Sequence, residues 1–379
     1  MKLVATGDFF VGGTMFNTIK ADPCSLFKGV RSAMSGDIVM ANLEGPFAGS
    51  KDDVRSFADK CNFASPAEAI STLSFLGINV VSLANNHIFD CGMQGFTATV
   101  QQLTNANISH FGAGADLCSA RQPIIIERCD LKVGLLGYSW GLIQSKIAGP
   151  STPGVSPLNR RFILKDVRDL RDKVDILVVS VHWGYVKERY PLPSQRELGH
   201  AIVDAGADLV VGHHPHVVQG IERVGKGLIA YSLGNFFFSD FVDDRFNLIQ
   251  SEETSYGLIL NVEFDNKGIA DWSTEIVEKA KDNSLNIKES ARKLTNAYQL
   301  PQGLNGKKYR KFWKKNKVRK DFFDLYRLPN LGEKIYSNHF LRFLMRNVAK
   351  KVSKKSTKGG PLALPCEHGN MYTLHDRSE

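Results

Sequence analysis

At 379 residues, with 43% hydrophobic and 23% charged residues, the chain is long enough to bury a large core and has the composition of a globular protein, which excludes a disordered or fibrous one. No apolar stretch reaches the roughly 18 residues a transmembrane helix requires. The formal charge of +9 is uneven: residues 303–379 hold 19 Lys and Arg against 6 Asp and Glu, while the remainder holds 29 against 33.

After Met1-Lys2 the chain enters an apolar run, Leu3-Val4-Ala5-Thr6, that ends in Gly7-Asp8, with no signal peptide ahead of it. Ile38-Val39-Met40-Ala41 runs into Asn42-Leu43-Glu44-Gly45. Ser65-Pro66 reads as a helix start, with Ser as N-cap and Pro at the first helical position; the helix carries Ala69, Ile70, Leu73 and Leu76 and stops at Gly77. Val80-Val81-Ser82-Leu83-Ala84 runs into Asn85-Asn86-His87, and a helix with Val100 and Leu103 follows Gly95. Gly112-Ala113-Gly114 lacks the third Gly and acidic partner of a dinucleotide site and reads as a tight turn. Lys132–Tyr138 is a strand, and the Pro-rich stretch from Gly141 to Leu158 is a long loop.

Further on, Ile176–Val181 runs into His182-Trp183-Gly184, and Ser194-Gln195-Arg196-Glu197 opens a helix with Leu198, Ile202 and Val203 that ends at Gly206. Ala207–Val211 runs into Gly212-His213-His214-Pro215-His216, and Leu228–Leu233 into Gly234-Asn235-Phe236. Leu258–Phe264 with Asp265–Gly268 is a strand and turn. Strands alternating with helical segments argue an α/β architecture over residues 1–280. From 281 to 379 the chain reads as a basic, largely helical extension with a loose tail: Lys307–Lys320 interleaves nine Lys and Arg with Tyr309, Phe312 and Trp313, and His339–Lys355 places Phe340, Phe343, Leu344, Val348 and Val352 on one helical face. The six Cys show no CxxC pair and read as reduced thiols of a cytoplasmic protein.

Of ten His, five (His87, His182, His213, His214 and His216) fall where an apolar strand ends. Loops at strand ends are where α/β proteins place their chemistry. Three imidazoles within four residues serve a metal better than they serve a surface loop. Asp8, Glu44, Asn86, His182, His214 and His216 together supply the carboxylates, imidazoles and neutral amide that hold one or two divalent ions, with Mn, Fe or Zn the ions this donor set suits. His87 is placed to protonate a leaving group, with Asp90 orienting it. Asn42, His213, Glu188 and Asn235 are further candidates; Asn235 reads as a structural loop-former ahead of a ligand, while a loop cap for Asp8 and an exposed loop acid for Glu44 are the lesser alternatives to a metal role. No Walker loop and no Gly-x-Ser-x-Gly elbow is present.

The ordered set Gly7-Asp8, Asn42-Leu43-Glu44-Gly45-Pro46, Asn85-Asn86-His87-x-x-Asp90-x-Gly92, His182-Trp183-Gly184, Gly212-His213-His214-Pro215-His216-Val217 and Ser232-Leu233-Gly234-Asn235-Phe236 resembles the CapA family of capsule and poly-γ-glutamate synthesis, itself similar to calcineurin-like metallophosphoesterases. The resemblance spans roughly residues 1–265. It implies a four-layer sandwich of two mixed β-sheets flanked by helices, with the metal site at the strand ends. It also implies Asp8 as the first-motif acid, Glu44 as the acid bridging two ions, Asn86 as the metal-bound amide and His87 as the catalytic neighbour. His182 matches the lone metal His, and His214 with His216 the final pair. Three positions depart from these patterns: Phe10 stands where phosphoesterases carry a His, Asn42 and Glu44 replace an Asp motif, and Val186 stands where a Glu is usual, with Glu188 nearby.

The resemblance implies a metal-dependent, phosphoesterase-like hydrolase acting on a phosphorylated or polyanionic small molecule or polymer. The alternative is a non-catalytic polyanion-binding or assembly component of a capsule or polyglutamate system. The basic stretch 307–355 is expected to meet an anionic membrane surface, or else to be a solvated helical appendage, with the protein cytoplasmic and peripheral to the inner membrane face. No recognised nucleic-acid motif is present.

Overall fold

In the computed structural model, residues 1–48, 63–242, 247–248, 250–289, 300–301, 304, 306–318, 363–364 and 372–373 are described. The main strands and helices follow in chain order: β1 (Lys2–Phe10), β2 (Ile38–Leu43), α1 (Ala69–Leu76), β3 (Val80–Ser82), α2 (Gly92–Asn105), β4 (Ser109–Phe111), β5 (Ile124–Arg128), β6 (Leu131–Ser139), α3 (Arg160–Arg171), β7 (Ile176–His182), α4 (Pro193–Asp204), β8 (Leu209–His213), β9 (Ile221–Val224), β10 (Gly227–Ala230), β11 (Asn235–Phe238), β12 (Tyr256–Asp265), β13 (Gly268–Lys279), β14 (Leu285–Lys288) and α5 (Gly306–Asn316).

The strands form two mixed sheets. The first has the order β14-β13-β12-β1-β2-β3-β4, with β11 also pairing with β1; the second has the order β9-β10-β8-β7-β6-β5. In the first, β1, β2, β3 and β4 run parallel and β12 to β14 antiparallel. In the second, β6, β7, β8 and β10 run parallel while β5 and β9 cap the edges in antiparallel fashion.

Side-chain alternation along the strands sorts the apolar residues into three layers of core. Leu3, Ala5, Ile38 and Met40 of the first sheet meet Val133, Leu135, Ile176, Val178, Leu209 and Val211 of the second. The intervening residues Val4, Val39 and Ala41 face the other way, onto Leu73 and Leu76 of α1 and Phe96 and Leu103 of α2. Leu177, Val179 and Val210 likewise turn from the second sheet onto Ile163, Val167 and Leu170 of α3 and Ile202 of α4. The result is the expected helix–sheet–sheet–helix sandwich. It explains why β2, β7 and β8 read as unbroken apolar runs: both faces of each are buried. At about 1.5–3 kcal/mol per fully buried large aliphatic side chain, these three layers are the main source of stability.

Four expectations change. Ser65 does not cap a helix: Ser65–Pro66 pairs as a short parallel strand with Phe47–Ala48, Ser65 Oγ accepts from Val11 N at 3.4 Å, and α1 begins only at Ala69. The local Ser-Pro signal is overridden by pairing with a distant segment. The helix does end as expected at Gly77, which is left-handed at φ 73°. The apolar run Leu228–Leu233 is a strand only as far as Ala230: β10 stays in the second sheet, and β11, which follows Gly234, pairs with β1, so Asn235 sits beside Asp8. Ser194 does not open α4, which starts at Pro193 with the Gln195 side chain accepting from Leu192 N at 2.8 Å. Cys91 is disulfide-bonded rather than a reduced thiol, which spacing along the chain does not reveal. Cys24, Cys118 and Cys129 are free.

Residues 1–242 and 248–318 group as one compact unit, so β14 and α5 belong with the sandwich. A second unit comprises 243–247 and 319–379. The expected apolar helical face over His339–Lys355 lies outside the described residues. Among the described residues no helix is long and apolar enough to cross a membrane.

Candidate metal centre

The parallel strands of both sheets deliver their carboxyl-terminal ends to one place. β1 carries Asp8, β2 carries Asn42 one residue before its end with Glu44 just beyond it, β7 ends in His182, β8 ends in His213 and leads into His214 and His216, and β11 begins at Asn235. Asp8, Asn42, Glu44, His182, His213, His214 and Asn235 are all buried. Asn86, His87 and Asp90, in the loop from β3 to α2, are half-buried.

Two overlapping groups of side chains could each hold an ion. Asp8, Glu44 and His182 form one, and Glu44, His214 and His216 the other; within each, one ligand atom per residue lies within 4.8 Å of the rest. Glu44 is common to both, which is the placement a bridging carboxylate needs. Its Oε1 stands 3.7 Å from His182 Nε2 and 3.6 Å from His216 Nε2, and is buried without a hydrogen-bond partner. A buried carboxylate oxygen that accepts no hydrogen bond costs stability unless a cation satisfies it. His182 Nε2 also lies 2.8 Å from Asn86 Oδ1, so the amide carbonyl reaches the same group. The donor set of carboxylate oxygens, imidazoles and one amide oxygen fits a divalent transition metal.

The electrostatics agree. Burial alone would push Asp8 up, but the close approach of His213, His216 and His182 holds its carboxyl far below the ordinary carboxylate range. Burial, followed by repulsion from Asp8, pushes Glu44 well above that range. Two acids sharing one buried site do not ionise together without compensating positive charge, and a cation between them supplies it. Burial, with the neighbouring His214, holds His182 well below its usual value, and burial also lowers His216. Both imidazoles are therefore neutral, with a lone pair to offer a metal.

Several candidates prove to position the cage. Asn42 does not present its oxygen to the centre. Its Nδ2 donates to Asp8 Oδ1 at 2.8 Å and to Glu44 Oε2 at 3.3 Å, and stands 3.4 Å from His182 Nδ1. Asn85 holds Asn42 in that orientation, its Nδ2 donating to Asn42 Oδ1 at 3.2 Å and to Leu43 O at 2.8 Å. Asn85 Oδ1 in turn accepts from the backbone N–H groups of His87 and Ile88, at 3.1 and 2.9 Å. One chain of amides thus ties the His87 loop to both acids. Asn235 Oδ1 lies 2.9 Å from His216 Nδ1, fixing that ring and directing Nε2 toward Glu44. His213 Nδ1 stands 3.3 Å from Asp8 Oδ1. Glu188 points away from the cage: its Oε1 accepts from Val318 N at 3.2 Å, just beyond the end of α5.

His87 Nδ1 lies 2.7 Å from Asp90 Oδ2, which fixes the ring. Phe63, which sequence reading passed over, stacks on the His87 ring at 4.1 Å between centroids. Phe10 does not approach the metal group; it packs against Phe63 at 5.0 Å and Phe238 at 5.2 Å, so the position where phosphoesterases carry a His here builds an aromatic floor beneath His87. His214 and His216 both adopt left-handed backbone, at φ 93° and 56°. For His this conformation costs energy, and it persists where the surroundings over-determine it, as at functional sites. Here His214 N donates to Asp8 Oδ2 at 3.1 Å and Pro215 O accepts from Lys187 N at 2.7 Å.

Residues 2–240 match the family described as Bacterial capsule synthesis protein PGA_cap. The chain belongs to that family. It is 33% identical over 211 residues to the capsule biosynthesis protein CapA of Bacillus anthracis, covering 54% of this chain and 51% of that one. It is 35% identical over 223 residues to a probable polyglutamine synthesis accessory protein of Mycobacterium tuberculosis, covering 55% and 56%. The PGA_cap chain described here thus spans about half the length of the curated relatives it matches. Among solved structures, a novel phosphatase from Mycoplasma pneumoniae aligns with a TM-score of 0.43 at 14% identity, covering 73% of this chain and 93% of that one.

Proposed function

We propose that this PGA_cap protein is a metal-dependent hydrolase of the phosphoesterase type, acting on a phosphorylated or polyanionic substrate in capsule or poly-γ-glutamate synthesis. The observation that carries the reading is Glu44 Oε1, buried, without a hydrogen-bond partner and facing imidazole nitrogens of His182 and His216. The biological setting rests on the family and on relatives named for capsule biosynthesis.

Asp8, Glu44, His182 and Asn86 would hold one ion, and Glu44, His214 and His216 a second, with Mn, Fe or Zn matching the donors. A bound ion supplies water activated at neutral pH and polarisation of the oxygen under attack. The chain's own residues do the rest. Asn42 keeps both acids aimed at the centre by donating to each. Asn235 holds the His216 ring so that Nε2 faces Glu44. Asp90 fixes His87 through Nδ1, leaving Nε2 to give a proton to the departing oxygen, and the Phe63 ring keeps the imidazole from swinging away.

Elemental mass spectrometry of untagged wild type and of the Asp8→Ala/His214→Ala double variant tests the cage. Near-stoichiometric Mn, Fe or Zn in the wild type and its loss in the variant are expected. Hydrolysis of p-nitrophenyl phosphate and bis(p-nitrophenyl) phosphate with added Mn tests the chemistry, with His87→Ala expected to lower turnover about 10²–10⁴-fold. Wild type that takes up no metal after reconstitution refutes the reading. Metal bound with no turnover on either ester leaves a binding or assembly role.

A further inference from the structure

The lysines of α5 remain unused by the site, and their surroundings are distinctive. The helix is held to the sandwich by its aromatic side. Tyr309 is buried, its hydroxyl donates to Pro191 O at 2.8 Å, and the Arg196 guanidinium lies 4.3 Å over its ring. Phe312 packs edge-on against Tyr190 at 5.0 Å. Arg196 also donates to Leu304 O at 2.7 Å before the helix, and Val318 N donates to Glu188 just after it. Both ends and one face are therefore fixed.

The opposite face carries Lys307, Lys308, Lys311, Lys314 and Lys315, all exposed. Among the described residues none of the five has an ion pair, whereas Arg310 is paired with Glu197 at 2.8 Å. Lys307, Lys311 and Lys315 are spaced i, i+4, i+8, which sets successive charges about 6 Å apart along the helix. Exposed ammonium groups prearranged on a fixed element, on a body that is otherwise mildly acidic, form a local positive field that attracts extended anions.

We propose that this lysine stripe is a docking track for a linear polyanion, a carboxylate-bearing polymer strand, that delivers the polymer toward the metal centre. The choice of polymer over lipid follows from packing. A helix lying in a membrane surface buries its apolar face in the lipid, and here Tyr309 and Phe312 of that face are committed to Tyr190, Pro191 and Arg196. The track is joined to the cage through hydrogen bonds: Val318 bonds to Glu188, and Lys187 N donates to Pro215 O, between His214 and His216. The carboxylate polymer as occupant rests on the function proposed above, while the track itself rests on α5.

Fluorescence anisotropy of fluorescein-labelled poly-γ-glutamate, titrated with the full chain at rising NaCl, tests the proposal. Wild type is expected to bind, with affinity falling as salt rises. The quadruple variant Lys307→Gln, Lys311→Gln, Lys314→Gln and Lys315→Gln is expected to bind about tenfold more weakly, four exposed ion pairs being lost together. Gln is a good helix former, so this variant decides the matter even where the charge-reversed Lys→Glu set fails to fold. Anisotropy reads binding without turnover, so a wild type that binds polymer and hydrolyses nothing refutes the hydrolase reading alone. Undiminished affinity in the Gln variant overturns the track. So does a wild type that ignores the polymer but binds phosphatidylcholine/phosphatidylserine vesicles through these lysines.

Discussion

Asn42 separates two readings of the centre, ligand or clamp. The side chain is fully buried and its amide nitrogen donates to Asp8 at 2.8 Å and Glu44 at 3.3 Å. Asn42→Leu keeps the volume and removes the donor. A buried hydrogen bond to a charged group is worth about 1.5–3 kcal/mol, and the longer contact less, so the expected destabilisation is on the order of 3 kcal/mol. Freed from the amide, the two acids also lose their common orientation, and loss of such supporting contacts typically lowers metal affinity about 10–100-fold. Urea unfolding of the metal-free chain reads the first effect, and Mn titration by isothermal calorimetry the second. Asn42→Asp is the discriminating partner. If Asn42 were a ligand, a carboxylate there would hold Mn at least as well as wild type. As a clamp it instead sets an acceptor against two acceptors, so Asn42→Asp should fold less stably than Asn42→Leu without metal. Asn42→Asp with wild-type or tighter Mn affinity would refute the clamp.

Asp90→Asn should lower turnover about tenfold while leaving metal content intact, because Asp90 touches His87 and not the cage; loss of metal would show that the loop is part of the cage itself. Gly7→Ala should destabilise by about 3 kcal/mol, because a Cβ there meets the Gly234 carbonyl oxygen at 2.0 Å, backbone that cannot step aside where β1 takes up β11; an unchanged urea midpoint would mean that this junction yields. Glu222 accepts hydrogen bonds from Tyr231, Arg196 and His200, which overcome its burial and draw its carboxyl from 4.5 down to about 2. A folded-state value below the unfolded one stabilises fully above about pH 4.5, and that contribution is lost as pH falls toward 2. Glu222→Gln should flatten the acid limb of stability in that window, and an identical limb in wild type and variant would count against the linkage.

Much of the centre was legible in the chain because of how the sheets are buried. β2, β7 and β8 are covered on both faces, so their residues form continuous apolar runs, and the first polar side chain after each run marks a strand end. Asp8, Glu44, His182, His214 and His216 could be found in this way, as could the layered α/β plan. Roles could not, because they depend on orientation between residues far apart in sequence. Asn42 and Asn86 look alike in a motif, yet one turns its nitrogen to Asp8 and the other its oxygen to His182. Glu188, adjacent to a metal motif, is drawn to Val318 instead. The crossing of the chain after β10 to the first sheet, which brings β11 beside β1 and Asn235 to His216, is decided by pairing with β1. The left-handed backbone at His214 and His216 is held by contacts with Asp8 and the loop after His182, partners that only the fold brings together. The chain by itself determined which groups gather at the strand ends, through burial periodicity; tertiary packing decided which atoms turn into the centre and which only hold the others in place.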